Sequence, residues 1–173
     1  MGKVMRRAIF TGMVLVCALA CAAAQTKVLS IEKLAQEADV IVRGVVVSTK
    51  CERDASGRIV TRVELRPKEH WKGTSSNISI VHAGGVLGDE AVLADCQERY
   101  VAGEEVVAFL RVNGRGEGVT VGMCQGKFTV WKDGSETLAY SPFHGAGPAQ
   151  REEATRSSLA LETLKRAVQG GAP

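Results

Sequence analysis

The stretch Asp39–Lys50, DVIVRGVVVSTK, decides the fold class because it is dense in valine and isoleucine. These β-branched residues are stiff at χ1 and are enriched in strands. One glycine, Gly44, interrupts the run, and a glycine inside a strand marks a bend or a bulge. The stretch therefore predicts a central strand with a bend or a bulge at Gly44.

The segments on either side of this strand also have clear patterns. Upstream, SIEKLAQEA (30–38) predicts a short helix capped by Ser30, with Leu34 on its apolar face. Downstream, CERDASGR (51–58) predicts a polar turn. Residues 59–71, IVTRVELRPKEHW, then alternate between apolar and charged side chains. That alternation predicts a half-exposed strand.

Further strands follow at even spacing. They are predicted at ISIVHA (78–83), VVAFLRV (106–112), VTVGMCQGKFTVW (119–131) and ETLAYS (136–141). The glycine-bearing stretch 84–105 is predicted to be a long loop that is functional or holds a short helix. An amphipathic helix is predicted over about 151–168, with Leu159, Leu161, Leu164 and Val168 buried. The pattern is typical of a mainly β fold, a small barrel or sandwich with flanking helices.

The N-terminus has the features of a secretory signal peptide. Lys3 and two arginines precede an apolar run that ends in small residues before Gln25. The sequence therefore predicts a leader over 1–24, a single domain over 25–173 and a secreted or periplasmic protein. The apolar run is shorter than the ~20 residues that span a bilayer, which argues against a membrane anchor. Attachment of a lipid at Cys21 is the remaining alternative.

Charge and composition argue against a nucleic-acid partner. The predicted leader holds three of the 22 basic residues and none of the 19 acidic ones, so the rest of the chain is formally neutral. Binding of single strands needs a basic groove with stacking aromatic residues, and aromatic residues make up 5% of this chain.

The histidines and glycines form no recognised catalytic or metal-binding motif. His70, His82 and His144 are not spaced as zinc ligands, so each is predicted to be a surface or capping residue. HAGGVLGDE (82–90) lacks the GxGxxG pattern and is predicted to be a solvated loop. The sequence predicts no catalytic residue, no cofactor and no metal ligand.

Three stretches together resemble the netrin-like domain of the tissue inhibitors of metalloproteinases. EADVIVRGVVVS resembles that family's first strand, and VELRPKEHWKG resembles its second strand with an aromatic-Lys-Gly turn. CQERYVAGEEVVAFLRVNGRGEGVTVGMCQGKFTVW resembles its paired cysteine-bearing segments. The resemblance covers about 38–138 and extends to exported bacterial proteins with the same layout. It implies a five-stranded OB-type barrel.

The cysteines differ from that family's pattern in one important respect. The family begins its mature chain with Cys-x-Cys, whose first residue chelates the protease zinc, whereas this chain has Gln25 there. In the family, the cysteines at the positions of Cys96 and Cys124 each bond one of that pair. The resemblance therefore implies that Cys96 and Cys124 bond each other here. A thiol nucleophile at Cys124 is the alternative, and the state of Cys51 is left open.

These observations predict a function without catalysis. The expectation is an exported OB-fold module that binds a protein partner in the cell envelope or outside the cell. The first alternative is a protease inhibitor that acts through its loops, in particular 84–95. The second is a thiol-dependent or metal-dependent enzyme.

Overall fold

The computed structural model describes residues 28–75, 78–94, 99–144 and 158–170. The predicted leader, the Gln25 terminus and Cys96 lie outside these residues. The elements are listed here in chain order: α1 (Ile31–Glu37), β1 (Val40–Arg53), β2 (Ile59–Lys72), β3 (Ile78–Ala83), β4 (Gly85–Leu87), β5 (Glu90–Val92), β6 (Glu105–Val112), β7 (Gly118–Thr120), β8 (Lys127–Asp133), β9 (Glu136–Tyr140), β10 (Leu159–Ala160) and α2 (Leu161–Val168).

Five strands close into a barrel in the order β1-β2-β3-β7-β6, with β6 pairing back onto β1. All neighbours are antiparallel except β3 and β7, which are parallel. The barrel therefore has the OB-type order, in which the third and fifth barrel strands lie side by side. The predicted fold class, a five-stranded OB-type barrel with a short helix toward each end, is confirmed.

The first strand closes the barrel because it is long and bends. Its residues Val40–Val45 pair with β6, while the whole strand runs along β2. The register on β2 shifts between Arg43 and Gly44. A Cβ on Gly44 would stand 2.6 Å from the Arg66 carbonyl oxygen, so only glycine lets the two strands approach this closely. This register shift agrees with the bend or bulge predicted at Gly44.

The apolar residues that the structure describes form two cores, one on each side of the barrel wall. Inside the barrel lie alternate residues of β1, β2, β3 and β6, among them Val63 and Ile80, together with Tyr100. Outside it, Phe109 and Phe128 pack under both helices with ring centroids 5.6 Å apart. The alternation predicted for β2 is confirmed, since Val63 and Leu65 are buried while Glu64 is exposed.

The prediction of one continuous fifth strand over 119–131 is wrong. Strand β7 ends at Thr120, and β8 begins only at Lys127. The residues between them form a tight turn in which Gly126 N–H donates to the Val121 carbonyl at 3.0 Å. Val121 N–H donates to the Phe109 carbonyl of β6, and Phe109 N–H donates to the Gly126 carbonyl. One part of β6 therefore pairs with β7, and another part pairs with β8.

Three other boundaries differ from the sequence predictions. The loop 84–105 holds the β4–β5 hairpin in its described residues rather than a helix. The predicted helix over 151–168 is helical from Leu161, while Leu159 lies in β10 and residues 151–157 lie outside the described ranges. Cys51 lies in β1 and not in a polar turn. In the described part of the chain, neither helix has the length and apolar character needed to cross a bilayer.

Candidate functional site

A groove runs across one end of the barrel, and we call it the end groove. It consists of two adjoining cavities of about 500 Å³ and about 600 Å³ that share His82 and Ala94. The first cavity lies between the β1–β2 turn and the β6–β7 turn. The second lies between the β1–β2 ribbon and the β4–β5 hairpin. OB-folds bind ligands on the face of their second and third strands, between these same two turns.

The floor of the first cavity is apolar. Ile59 and Val60 of β2 and Val81 of β3 line it, and all three are buried against the barrel. Val119 of β7 lies at its side and remains 40% exposed. A cavity with an apolar floor and a few polar groups at its edge is typical of a binding site.

The β1–β2 turn is held in shape by Asp54. Its Oδ1 accepts hydrogen bonds from Ser56 N, Ser56 Oγ and Arg58 N, at 2.7 to 3.0 Å. Its Oδ2 accepts from the Arg58 guanidinium at 2.8 Å. The hydrogen bond from the Ser56 side chain, with those from Arg58, holds the pKa of Asp54 well below its usual range. The turn is therefore fixed by its own side chains.

The β6–β7 turn is fixed in the same way, around Glu117. This carboxylate accepts from Asn113 Nδ2 at 2.9 Å, Arg62 Nη1 at 2.5 Å and Arg115 Nε at 2.8 Å. These hydrogen bonds, the one from Asn113 first, lower the pKa of Glu117 to about 2. Because Arg62 also donates to Glu52 at 2.9 Å, the turn is connected to β2 and β1. Both turns beside the groove are thus preorganised.

Met123 enters the groove from the tight turn between β7 and β8. Its φ is 64°, the only positive φ of a non-glycine residue in the described ranges. Its side chain lines the first cavity and is 56% exposed. Methionine is flexible and polarisable and is common at surfaces that bind partners. Backbone strain of this kind clusters at functional sites, so the exposed apolar side chain of Met123 makes this turn a candidate binding element.

The rest of this turn is a structural anchor. Gln125 is buried, and its Oε1 accepts a hydrogen bond from Leu29 N at 2.7 Å, which attaches the segment before α1 to the barrel. Cys124 is buried beside it. Its predicted disulfide partner, Cys96, lies outside the described residues, so the Cys96–Cys124 bond stays a prediction.

The second cavity has Cys51 in its wall and the β4–β5 hairpin over it. Thr61 Oγ1 donates to the Gly84 carbonyl at 2.8 Å. A Cβ on Gly85 would stand 2.6 Å from Cys51 Sγ, so the hairpin lies directly against this thiol. Val86, Val92 and Leu93 present exposed apolar side chains along the hairpin side of the groove.

The structure places Cys51, Thr61 and His82 in one row across three strands. Cys51 is the register partner of Thr61, and Thr61 is the partner of His82. Neighbouring strands lie about 4.8 Å apart, so the backbones of Cys51 and His82 are about 10 Å apart with Thr61 between them. For Cys51 and His82 to act as a thiol–imidazole pair, their side chains would have to meet across Thr61 at about 3 Å. His82 Nδ1 instead lies 3.3 Å from the Ala83 carbonyl oxygen.

The histidines differ in their surroundings. His70 is exposed, as predicted, and its Nε2 lies 3.0 Å from the Ser75 carbonyl. His82 stacks on Tyr100 with ring centroids 6.5 Å apart. His144 was predicted to be a surface or capping residue, but the structure half-buries it: its ring stacks on Phe128 with centroids 5.3 Å apart, and its buried Nε2 has no hydrogen-bond partner among the described residues. Burial lowers the pKa of His144.

Sequence reasoning missed the end groove because its walls come from distant segments. Asp54 lies in the stretch 51–58, which predicts only a polar turn, and Met123 lies in the stretch 119–131, which predicts a strand. Within the described residues, no three His, Cys, Asp or Glu side chains converge to hold a metal ion. No protein-family model matches the chain, and a search of the curated proteins finds no match either. The function is therefore inferred from the chemistry of the groove.

Proposed function

We propose that the protein is an exported, non-catalytic OB-fold module that binds an apolar segment of a partner protein in its end groove. The observation that carries the proposal is Met123, which lies in the groove with a strained backbone and an exposed apolar side chain. Strain of this kind persists only where the surrounding structure maintains it.

The charges around the groove favour a protein ligand over a nucleic acid. Arg58 is paired with Asp54, and Arg115 is paired with Glu117, so the two turns present compensated charges. Binding of nucleic acids depends on cations that are available to neutralise phosphates. Apolar floor residues with hydrogen-bonding groups at the rim are the usual features of a protein interface core.

The preorganisation of the two turns favours affinity. Asp54 and Glu117 hold the turns through hydrogen bonds that their carboxylates accept from neighbouring residues of the same turns. A rigid site loses less conformational entropy when it binds than a mobile one does. The ligand contributes the apolar surface, and the groove does not need to reorganise to receive it.

The experiment is a selection of random linear peptides displayed on phage against the mature chain. The selected peptides should be rich in apolar residues. Two matched variants then locate their binding site. Val119 lies in the groove and Val112 lies outside it on the next strand, and they are 40% and 43% exposed. Val119→Asp should weaken binding at least about tenfold, because a carboxylate would be desolvated. Val112→Asp should leave it unchanged. Equal losses would contradict the proposal.

A second candidate function is a protease inhibitor that acts through the β4–β5 hairpin. Leu93 is 95% exposed directly after a hairpin that is anchored by Thr61 and by an Arg53–Glu90 ion pair of 2.5 Å. An exposed apolar side chain on an ordered loop can enter a protease specificity pocket. Inhibition of a panel of endopeptidases that is lost in Leu93→Gly and kept after deletion of 25–29 would establish this function. A panel without inhibition would dismiss it.

A further inference from the structure

Strand β1 has an unpaired edge beyond the barrel. Its pairing with β6 ends at Val45, and Val46 still exchanges hydrogen bonds with Gly103 and Glu104. From Val47 to Arg53, the strand pairs with β2 on one side only, and no other strand of the described residues pairs with it on the other. An unpaired edge presents N–H and C=O groups that can bond to another strand.

The backbone groups at this edge can be identified. Asp54 N–H donates to the Arg58 carbonyl, which closes the end of the β1–β2 ladder. Because hydrogen bonding alternates along an antiparallel pair, Thr49, Cys51 and Arg53 direct their N–H and C=O groups away from β2. Three consecutive bonding positions therefore face outward.

The order of charges along the edge selects one partner and one register. Lys50 and Glu52 lie on the same face of β1 with their charged groups 3.2 Å apart. If a second copy adds antiparallel with Cys51 opposite Cys51, each Lys50 lies opposite a Glu52, twice in the interface. Opposite charges in directly opposed positions stabilise a strand pair, and like charges destabilise it.

The neighbouring registers lack this complementarity. Centring the pair on Lys50 places two Lys50 side chains opposite each other, and centring it on Glu52 opposes two carboxylates. Centring the pair on Thr49 places Lys50 opposite the uncharged Ser48. It also places Arg53 of one copy opposite Val45 of the other, where β6 already pairs with β1. The Cys51-centred register is therefore favoured by charge.

We propose that the free edge of β1 is a dimerisation surface, on which a second copy of this chain adds antiparallel with Cys51 opposite Cys51, and that a disulfide between these two cysteines locks the pair. Directly opposed residues of a hydrogen-bonded antiparallel pair have Cα atoms about 5.5 Å apart. This spacing falls within the range of about 4.4–6.8 Å that disulfides require. Cys51 is half-buried with a free thiol, and the hairpin approaches this thiol through Gly85, a residue without a side chain.

The oxidation needs a disulfide as the electron acceptor, and glutathione disulfide is the one used in the test. One Cys51 thiolate attacks it, forms a mixed disulfide and releases one glutathione thiol. The Cys51 thiolate of the second copy attacks the protein sulfur of the mixed disulfide and releases the second glutathione. One S–S bond is broken and one is formed, and two protein thiols are exchanged for two glutathione thiols.

The test follows cross-linking of the mature chain in glutathione disulfide, by non-reducing gel and peptide mapping. We expect a Cys51–Cys51 peptide. In Lys50→Glu, the new glutamate at position 50 of each copy lies opposite Glu52 of the other copy. In Glu52→Lys, the new lysine at position 52 of each copy lies opposite Lys50 of the other copy. Each variant alone should cross-link about tenfold more slowly, because two attractive pairs become repulsive.

The mixture of the two variants is the decisive arm. A Lys50→Glu chain is complementary to a Glu52→Lys chain, so an equimolar mixture should restore cross-linking, with the heterodimer predominant. A defect in folding would not be repaired by mixing. Melting temperatures check each variant, and Lys50, with its side chain 75% exposed, is not expected to affect folding. No gain on mixing, a wild type that keeps its Cys51 thiol, or a bridge from Cys51 to Cys124 would overturn the proposal.

Discussion

Replacing Met123 by glycine is expected to stabilise the protein while weakening its binding. A non-glycine residue in the left-handed region costs roughly 1 kcal/mol or more, and glycine adopts this region without that cost. The Met123 side chain is 56% exposed, so its removal loses little buried area. We therefore expect the free energy of unfolding to rise by about 1 kcal/mol, or about 3 °C in Tm for a chain of this size.

The assay is urea unfolding of the wild type, Met123→Gly and Met123→Ala. The alanine variant removes the thioether but keeps a Cβ at φ 64°, so it isolates the backbone strain from the loss of the side chain. Met123→Gly should be more stable than Met123→Ala by about 1 kcal/mol, the reverse of the usual order in regular elements. Both variants should bind the selected peptides more weakly. An alanine variant as stable as the glycine variant would refute the reasoning.

Further predictions concern pH, the cysteines and the N-terminus. Burial lowers the pKa of His144, so the unfolded chain binds a proton more readily than the folded chain does. The free energy of unfolding should therefore fall as pH drops below about 6.5. His144→Leu should flatten this part of the pH–stability curve. Glu117 has its pKa lowered to about 2, so its contribution should be present at neutral pH and lost as pH falls from about 4.5 toward 2; Glu117→Gln should remove that loss in urea titrations. Peptide mapping of oxidised protein should show Cys96 bonded to Cys124, and alkylation of both thiols would contradict it. The intact mass of the exported protein should correspond to a chain that begins at Gln25. This chain should not inhibit zinc endopeptidases through its N-terminus, and inhibition that is lost on deletion of 25–29 would contradict this prediction.

The fold could be predicted largely because its signals are local. The valines of β1, the alternation of β2 and the Ser30 cap each act within one element, and the structure confirms all three. Ser30 Oγ accepts from Lys33 N at 3.2 Å, as a helix N-cap does. The resemblance to the netrin-like domain remains an expectation, since the OB-type barrel is shared by many unrelated families.

The errors arose where tertiary contacts override local pattern. Residues 119–131 have strand composition throughout, yet the chain turns at Gly122, because Val121 and Gly126 both bond to Phe109. Glycine at 126 lets this happen: a Cβ there would stand 2.8 Å from the Val121 carbonyl oxygen. A single sequence shows such a glycine but not the strand that it must approach.

The end groove could not be predicted for a related reason. Its floor combines β2 and β3, β7 lies at its side, and its walls combine two turns that are about sixty residues apart in the chain. The β1–β2 turn could be predicted from the polar stretch 51–58. The meeting of the two turns at one end of the barrel depends on the parallel pairing of β3 with β7, which rests on the single register pair Ile80–Gly118.

The most direct test of the end groove is a methyl NMR titration of the mature chain with a selected peptide. We expect the largest shift at the Met123 methyl, with further shifts at Val60, Val81 and Val119, and none at Val112. Shifts confined to the helical face around Leu161 and Leu164, with Met123 unchanged, would contradict the claim that this groove is where the protein binds its partner.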